Sequence, residues 1–355
     1  MENGKPDPRI VAFYLPQFHR ISENDEWWGE GFTEWVNVRR AQPLFAGHEM
    51  PYLPHQDIGY YDLAERDTLA RQAELARSFG VSGFCFYHYW FNGKLLLEKP
   101  LLHFLEHPEI DLEFCVCWAN ESWSRNWNGG EKEVLQEQNY GGRDDWIAHF
   151  DWLAPFLRDR RAIRFDGAPL ILIYRTGHIE ALNEMLAVWR ERAAETGIRE
   201  IRVAGVLNFH KDSYETKDLD LDAAIEFQPF YSLRNSLART AVRQEGRNTV
   251  IRYPELVKSC RPARFHRNQI PGICPRWDNT PRHLEGGATI FTGCDTSFFA
   301  DQLRAQFGRL DSRNPFVFVN AWNEWAEGCT LEPDSVHGYA RLEALKRALD
   351  EWRER

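Results

Sequence analysis

The segment PFVFVNAWNEWAEG, residues 315–328, has two halves of opposite character. The first is a short apolar run of Phe and Val, the composition of a strand buried on both faces. The second sets two carboxylates, Glu324 and Glu327, beside two indoles, Trp322 and Trp325. A parallel strand that ends in acids is the pattern of a (β/α)8 barrel, whose active site is built from the loops at the C-terminal strand ends. Working outward, apolar runs of the same kind recur at Ile10–Phe18, Val81–Trp90, Leu112–Asn120, Pro169–Arg175, Ile201–Leu207, Ala223–Phe230 and, more weakly, Ile270–Pro275, before the last at Pro315–Ala321. Amphipathic stretches lie between them at Asp62–Phe79, Asp144–Arg158, Ile179–Glu195, Asp295–Phe307 and Tyr339–Trp352. Eight strands alternating with helices predict an α/β chain with one (β/α)8 TIM-type barrel domain over residues 1–355. A doubly wound sheet would want a Gly-rich turn after its first strand, where this chain has Pro16-Gln17-Phe18-His19. A barrel usually takes about 250 residues. The excess falls in enlarged loops after strands 1 and 6, at His19–Tyr61 and Tyr231–Gln269.

Composition narrows the function. A net charge of −10 on 355 residues speaks against a surface that tracks nucleic-acid phosphates. Met1–Ile10 lacks the apolar core of a signal peptide, and no apolar run reaches the roughly 18 residues of a membrane span. Seven cysteines (Cys85, Cys115, Cys117, Cys260, Cys274, Cys294, Cys329) lie mostly inside apolar runs. Their odd number predicts reduced thiols and a cytoplasmic protein. The 14 Trp, 23 Phe and 12 Tyr often stand at the ends of apolar runs beside polar residues. Such rings stack on the C–H faces of sugars.

Three motifs place a carboxylate beside Trp just past a strand: Thr33-Glu34-Trp35, Trp118-Ala119-Asn120-Glu121-Ser122-Trp123, and the segment from Trp322 to Glu327. Glycoside cleavage needs one carboxyl group to protonate the leaving oxygen and a second on the opposite side. A neighbouring indole excludes water and raises a carboxyl pKa toward neutrality. On an extended strand Glu324 and Glu327 would face opposite ways, whereas a helical turn puts them on one side. The competing structural role is a helix start, where acids suit the dipole. Asn120-Glu121 matches the Asn-Glu pair of many retaining barrel glycosidases, making Glu121 with Glu324 a second pairing. As general acid, Glu327 should have the higher pKa of its pair. Tyr14, His88, Trp118, Glu121, Trp277 and Glu324 are expected to converge on one face, because each sits at or just beyond a strand's C-terminal end.

Other chemistries find less support. His19, His55, His88 and His210 stand singly, so no metal or cofactor is expected. Cys85, Cys115 and Cys117 are mid-strand, and no G-x-S-x-G occurs. Asp218-Leu219-Asp220-Leu221-Asp222 has the D-x-D form of metal-dependent transferases but precedes a strand, as a solvated turn does. A non-catalytic glycan-binding protein would keep the aromatics without needing an acid pair. Tyr231–Gln269 carries nine basic residues, among them Arg243 and Arg247, against Glu245 and Glu255. That is either a basic helix neutralising acidic neighbours or an anion contact at the rim, such as the diphosphate of a lipid-linked glycan.

Phe13–His19, Trp28–Trp35 (WGEGFTEW), Gly59–Asp62, Phe86–Trp90 (FYHYW) and Ala321–Gly328 (AWNEWAEG) resemble the WbsX-type proteins over nearly the whole chain. These are encoded in O-antigen (lipopolysaccharide) and other surface-polysaccharide clusters and were named glycosyltransferases. Through Trp322–Gly328 the chain more distantly resembles glycoside hydrolase family 99, the (β/α)8 endo-α-mannosidases and mannanases. The resemblance implies a retaining mechanism. Glu324 would deprotonate the sugar 2-hydroxyl to give a 1,2-anhydro sugar, and Glu327 would act as acid, then base. It implies Tyr14, His88, Trp118, Glu121 and Tyr231 as subsite residues. Trp35, Asn120, Trp277, Trp322 and Asn323 complete the expected substrate contacts. The expectation is a glycosidase or transglycosylase acting on a bacterial surface polysaccharide or its lipid-linked oligosaccharide precursor. The alternatives are a nucleotide-sugar glycosyltransferase and a glycan-binding protein.

Overall fold

In the computed structural model, which describes residues 5–49, 52–124, 133–208, 218–260 and 268–355, the apolar runs pair in parallel and in chain order. The strands are β1 (Arg9–Tyr14), β2 (Val81–Phe91), β3 (Glu113–Trp118), β4 (Ala168–Ile173), β5 (Arg202–Leu207) and β6 (Ala223–Glu226). Then come β7, in two pieces (Gln269–Ile270 and Gly272–Ile273), and β8 (Phe316–Val319). The first piece of β7 pairs with β6, the second with β8, and β8 with β1, which completes the ring. Pro271 breaks β7 because it has no N–H to give. Its carbonyl still accepts the Phe318 N–H at 3.0 Å. Gly272 is required there, since a Cβ would lie 1.7 Å from the Glu226 carbonyl oxygen. Gly272→Ala is therefore expected to destabilise the barrel by about 3 kcal/mol through overpacking at this seam. Urea denaturation reads this directly, and an unchanged midpoint would refute it.

Side chains alternate along each strand. Val11, Phe13, Leu15, Cys85, Cys115 and Cys117 fill the barrel interior, while Ile10, Ala12, Tyr14, Phe84, Phe86 and Trp118 face the helices. That outer layer comprises α1 (Arg66–Ser78), α2 (Lys99–Glu106), α3 (Arg143–Arg158), α4 (Leu182–Glu195), α5 (Thr296–Phe307) and α6 (Ala340–Glu354). The Asp295 carboxylate caps α5 by accepting the Phe298 N–H at 2.8 Å. Helix α2 was not anticipated, being only eight residues long.

The enlarged loop after β1 carries helices Ser22–Trp28 and Trp35–Arg40. The loop after β6 corrects the expected basic helix. Val242–Glu245 and Asn248–Arg252 form a hairpin, joined in parallel by Thr289–Thr292 from the loop after β7. Val250 and Ile251 are β-branched and buried, which favours a strand. Arg243 pairs with Glu245 and Arg252 with Glu255, so two of the nine basic residues are matched by the segment's own two glutamates. Arg261, Arg264, Arg267 and His210 lie outside the described residues. Asp220 pairs with Arg190, and Asp222 accepts the Val203 N–H at 2.9 Å, so the D-x-D run ties down the start of β6. Among the described residues no helix is long and apolar enough to cross a membrane.

Candidate active site

At the C-terminal mouth of the barrel lies a cleft of about 290 Å³. Leu15, Tyr87, Tyr174 and Phe227, the uppermost members of the interior packing, form its base. Trp28 and Phe32 from the loop after β1, and Trp123 and Leu135 from the loop after β3, line it further. Among the described residues five charged side chains enter it: Glu34, Glu121, Arg282, Glu324 and Glu327.

Glu324 and Glu327 share the cleft because of the local backbone. Asn323–Glu324 pairs antiparallel with Cys329–Thr330, and Trp325–Glu327 makes a single 3-10 turn. This is a tight turn and not the start of a longer helix. Gly328 ends it at φ 58°, where a side chain would be strained and a Cβ would stand 2.8 Å from the Asp278 carbonyl. Trp325 points away from the cleft, its indole N–H donating to Glu332 at 2.8 Å.

Arg282 is the residue that the sequence did not single out. Its Nη1 lies 2.6 Å from Glu327, its Nη2 3.4 Å from Glu324, and its Nε 3.6 Å from Glu34. One guanidinium thus serves three carboxyl groups. Its turn, Thr280–Arg282, is set by Asp278, which accepts the Thr280 N–H at 3.0 Å. Asp278 also meets His48 Nε2 at 2.6 Å. His48 Nδ1 accepts the Leu44 N–H, so Nε2 is the nitrogen that donates.

Burial pushes Glu324 well above the usual carboxylate range; Arg282 opposes this, while Glu327 and Glu34 add to it. Burial raises Glu327 as well, again opposed by Arg282. Glu324 is the more enclosed, its side chain 6% exposed against 22% for Glu327, and its contacts with Arg282 are longer. Burial thus weighs more heavily on Glu324 than on Glu327, whereas a Glu327 acid calls for the opposite bias. Glu34 is raised by burial too.

Glu121 also faces the cleft, paired with Arg175. Asn120 does not: fully buried, it accepts the Arg175 N–H at 2.8 Å and donates to the Arg175 carbonyl at 2.9 Å, joining two strand ends. Burial raises the Tyr174 phenol, and the charges of Glu121 and Glu327 raise it further.

Of the six residues expected to converge, Glu121 and Glu324 line the cleft, whereas Tyr14, His88, Trp118 and Trp277 do not. Alternation explains the first three: Leu15, Tyr87, Tyr89 and Ala119, one position away, are the ones that face it. Tyr14 donates to Gln72 of α1 at 2.7 Å. His88 contacts His149 of α3 at 2.9 Å, stacks on Trp152, and is held down to about 3 by burial. Trp118 donates to the Trp90 carbonyl at 3.2 Å. Trp277 packs edge-on to Phe230, and Tyr231 accepts from Gln269 at 2.8 Å. Trp322 packs on Phe84, and Trp35 donates to the Tyr61 carbonyl at 2.7 Å. Asn323 brackets Leu15, donating to its carbonyl at 2.9 Å and accepting its N–H at 2.8 Å. These side chains build the frame and leave the cleft to their neighbours. Among the described residues no group of three His, Cys, Asp or Glu side chains is placed to hold a metal ion.

The fold recurs in solved structures. A family 99 endo-α-mannosidase from Bacteroides thetaiotaomicron is 12% identical at a TM-score of 0.62, covering 98% of this chain and 97% of that one. A glycoside hydrolase-like protein is 14% identical at 0.64, covering 98% and 95%. Protein WxcX from two strains of Xanthomonas campestris pv. campestris is 41% identical over 350 residues, 96% of this chain. The chain spans about half, 49%, of the length of those relatives. The profile described as glycosyltransferase WbsX matches residues 10–345, from the first barrel strand into the last helix. Over that whole span the chain belongs to the WbsX glycosyltransferase family.

Proposed function

We propose that the chain is a retaining glycoside hydrolase or transglycosylase that acts on an oligosaccharide or polysaccharide through Glu324 and Glu327. The observation that carries this is the set of three carboxyl groups around Arg282 in an aromatic-lined cleft. Fully ionised, the set would hold two uncompensated negative charges in a partly dry site, so it keeps a proton near neutral pH. It then contains both a carboxylic acid and a carboxylate, the pair that glycoside cleavage needs. A sugar 2-hydroxyl donating to Glu324 would favour its carboxylate form and send the proton to Glu327. Glu324 takes the hydroxyl proton as that oxygen closes on C1, and Glu327 protonates the leaving oxygen. Water or a second sugar, deprotonated by Glu327, then attacks C1 and opens the 1,2-anhydro ring, and Glu324 returns its proton to the 2-oxygen.

Charge argues against a nucleotide-sugar transferase. Among the described residues four glutamates and one arginine line the cleft, a poor setting for a diphosphate. Arg243 and Arg252 of the hairpin are each paired with a glutamate and give no support to a lipid-diphosphate contact, so the glycan itself is taken as the ligand. A bacterial surface polysaccharide or its precursor, met in the cytoplasm, is the substrate that family membership favours. Mass spectrometry of the protein with such glycans and, separately, with nucleotide sugars tests this. Cleavage or rearrangement without a nucleotide donor is expected. Products that form only with a nucleotide sugar would overturn the reading.

A further inference from the structure

The loop after β1 braces the acid pair at two points. Glu34 has a side chain only 3% exposed, yet it lines the cleft and meets Arg282 at 3.6 Å. Its neighbour Trp35, anchored on the Tyr61 carbonyl, brings its ring within 6.0 Å of Trp325, between Glu324 and Glu327 in the chain. Glu34 makes no capping bond to the six-residue helix it precedes. A helix-capping role therefore does not account for a buried carboxylate here.

We propose that Glu34 is a positioning residue for the acid pair: it draws Arg282 toward the loop after β1 and adds the third negative charge, so that Glu324 and Glu327 hold one proton between them. This rests on reading that pair as acid and base. Two carboxylates beside one guanidinium sum to −1, and Arg282 then offsets part of the rise that burial imposes on both. A third carboxylate brings the sum to −2 in a site largely closed to water, and retaining a proton becomes the cheaper state. The groups facing Glu34 agree with this: Arg282 from the loop after β7, Glu324 and Glu327 after β8, the Tyr89 phenol of β2, and Asn37 on its own helix. Glu34 acts on the pair both directly, by repulsion, and through its share of Arg282, and the two effects have the same sign. Both make it harder to ionise Glu324 and Glu327.

The test needs no substrate. Side-chain carboxyl carbons of ¹³C-glutamate-labelled protein are followed by NMR against pH, with Glu324→Gln and Glu327→Gln assigning the two resonances. In Glu34→Gln, which keeps the size and removes the charge, both midpoints are expected to fall by about one pH unit. In Glu34→Asp, which keeps the charge at a greater distance, the fall is smaller. Unchanged midpoints in folded Glu34→Gln, or an equal fall in both variants, overturn the proposal. Should Glu34→Gln not fold, Glu34→Asp decides alone, and midpoints left at the wild-type values overturn it. Because no turnover is measured, a protein that cleaves no glycan while its midpoints fall would refute the enzymatic reading and leave the role of Glu34 standing.

Discussion

Glu327→Gln is expected to slow cleavage of a natural glycan by about two to four powers of ten, the usual cost of removing a positioned proton donor. An activated aryl glycoside, whose leaving group needs little protonation, should suffer least. Glu324→Gln should damage both substrates, because attack by the 2-hydroxyl is lost whatever leaves. On the proposed mechanism the two carboxyls titrate as a unit in the wild type, and the singly protonated form is the active one. Activity falls at low pH as the remaining carboxylate is protonated, and at high pH as the shared proton leaves. Burial raises both groups, so the bell should lie above the range of free glutamates. Steady-state rates on the two substrate types across pH measure all of this. If Glu121→Gln abolishes turnover while Glu327→Gln keeps it within a few fold, the working pair is Glu121 with Glu324. Full activity in all three variants would place the chemistry elsewhere.

Asp334→Ala is expected to cost about 3–5 kcal/mol of stability, the range for breaking a buried ion pair by removing one partner. Asp334 is buried and accepts from Arg276 at 2.7 Å, Arg341 at 3.3 Å, and the N–H groups of Val336 and His337 at 2.8 and 2.7 Å. Without it, two buried arginines lose their shared carboxylate. Arg276 also donates to the Gly328 carbonyl at 2.9 Å, next to Glu327, so the damage reaches the acid turn. Burial by itself would raise the Asp334 pKa, but Arg276 and the backbone N–H groups bring it below the usual value. Its contribution is therefore complete above the unfolded carboxylate pKa and lost as pH falls through the lowered folded value. Denaturant titrations of both proteins should differ most near neutrality and converge in acid. A constant gap down to the lowest pH would contradict this linkage.

The barrel was legible because buried parallel strands announce themselves as β-branched and aromatic runs. Only β7 read weakly, since Pro271 and Gly272, the residues that permit the seam, interrupt that pattern. The acid turn was legible because two glutamates inside an apolar segment cost free energy that a purely structural turn has no cause to spend, although its own tryptophans face away from the cleft. The aromatic contacts were displaced by one position in three strands. Both faces of those strands are apolar, so composition does not say which parity looks inward. In FYHYW the histidine drew notice, while Tyr87 and Tyr89 on either side of it line the cleft. Arg282 carries no local signature at all. Its role comes from a turn set by Asp278 and from carboxylates distant in the chain, which only the closed ring brings together.

That closure has a consequence for how the protein comes into being. Strand β1 pairs with β8, and Asn323 locks onto Leu15, so the first and last strands of the barrel meet directly beneath the acids. Contacts between such remote segments form late in folding, because their loop-closure entropy must be met before they reward it. A growing chain carries Glu34 and Arg282 long before Glu324 emerges, and until β8 docks these groups are separate, hydrated charges. The three carboxyl groups and Arg282 come together only in the finished ring. On the proposed reading, competence is then acquired in a single late step, and a half-made barrel would have no partial activity.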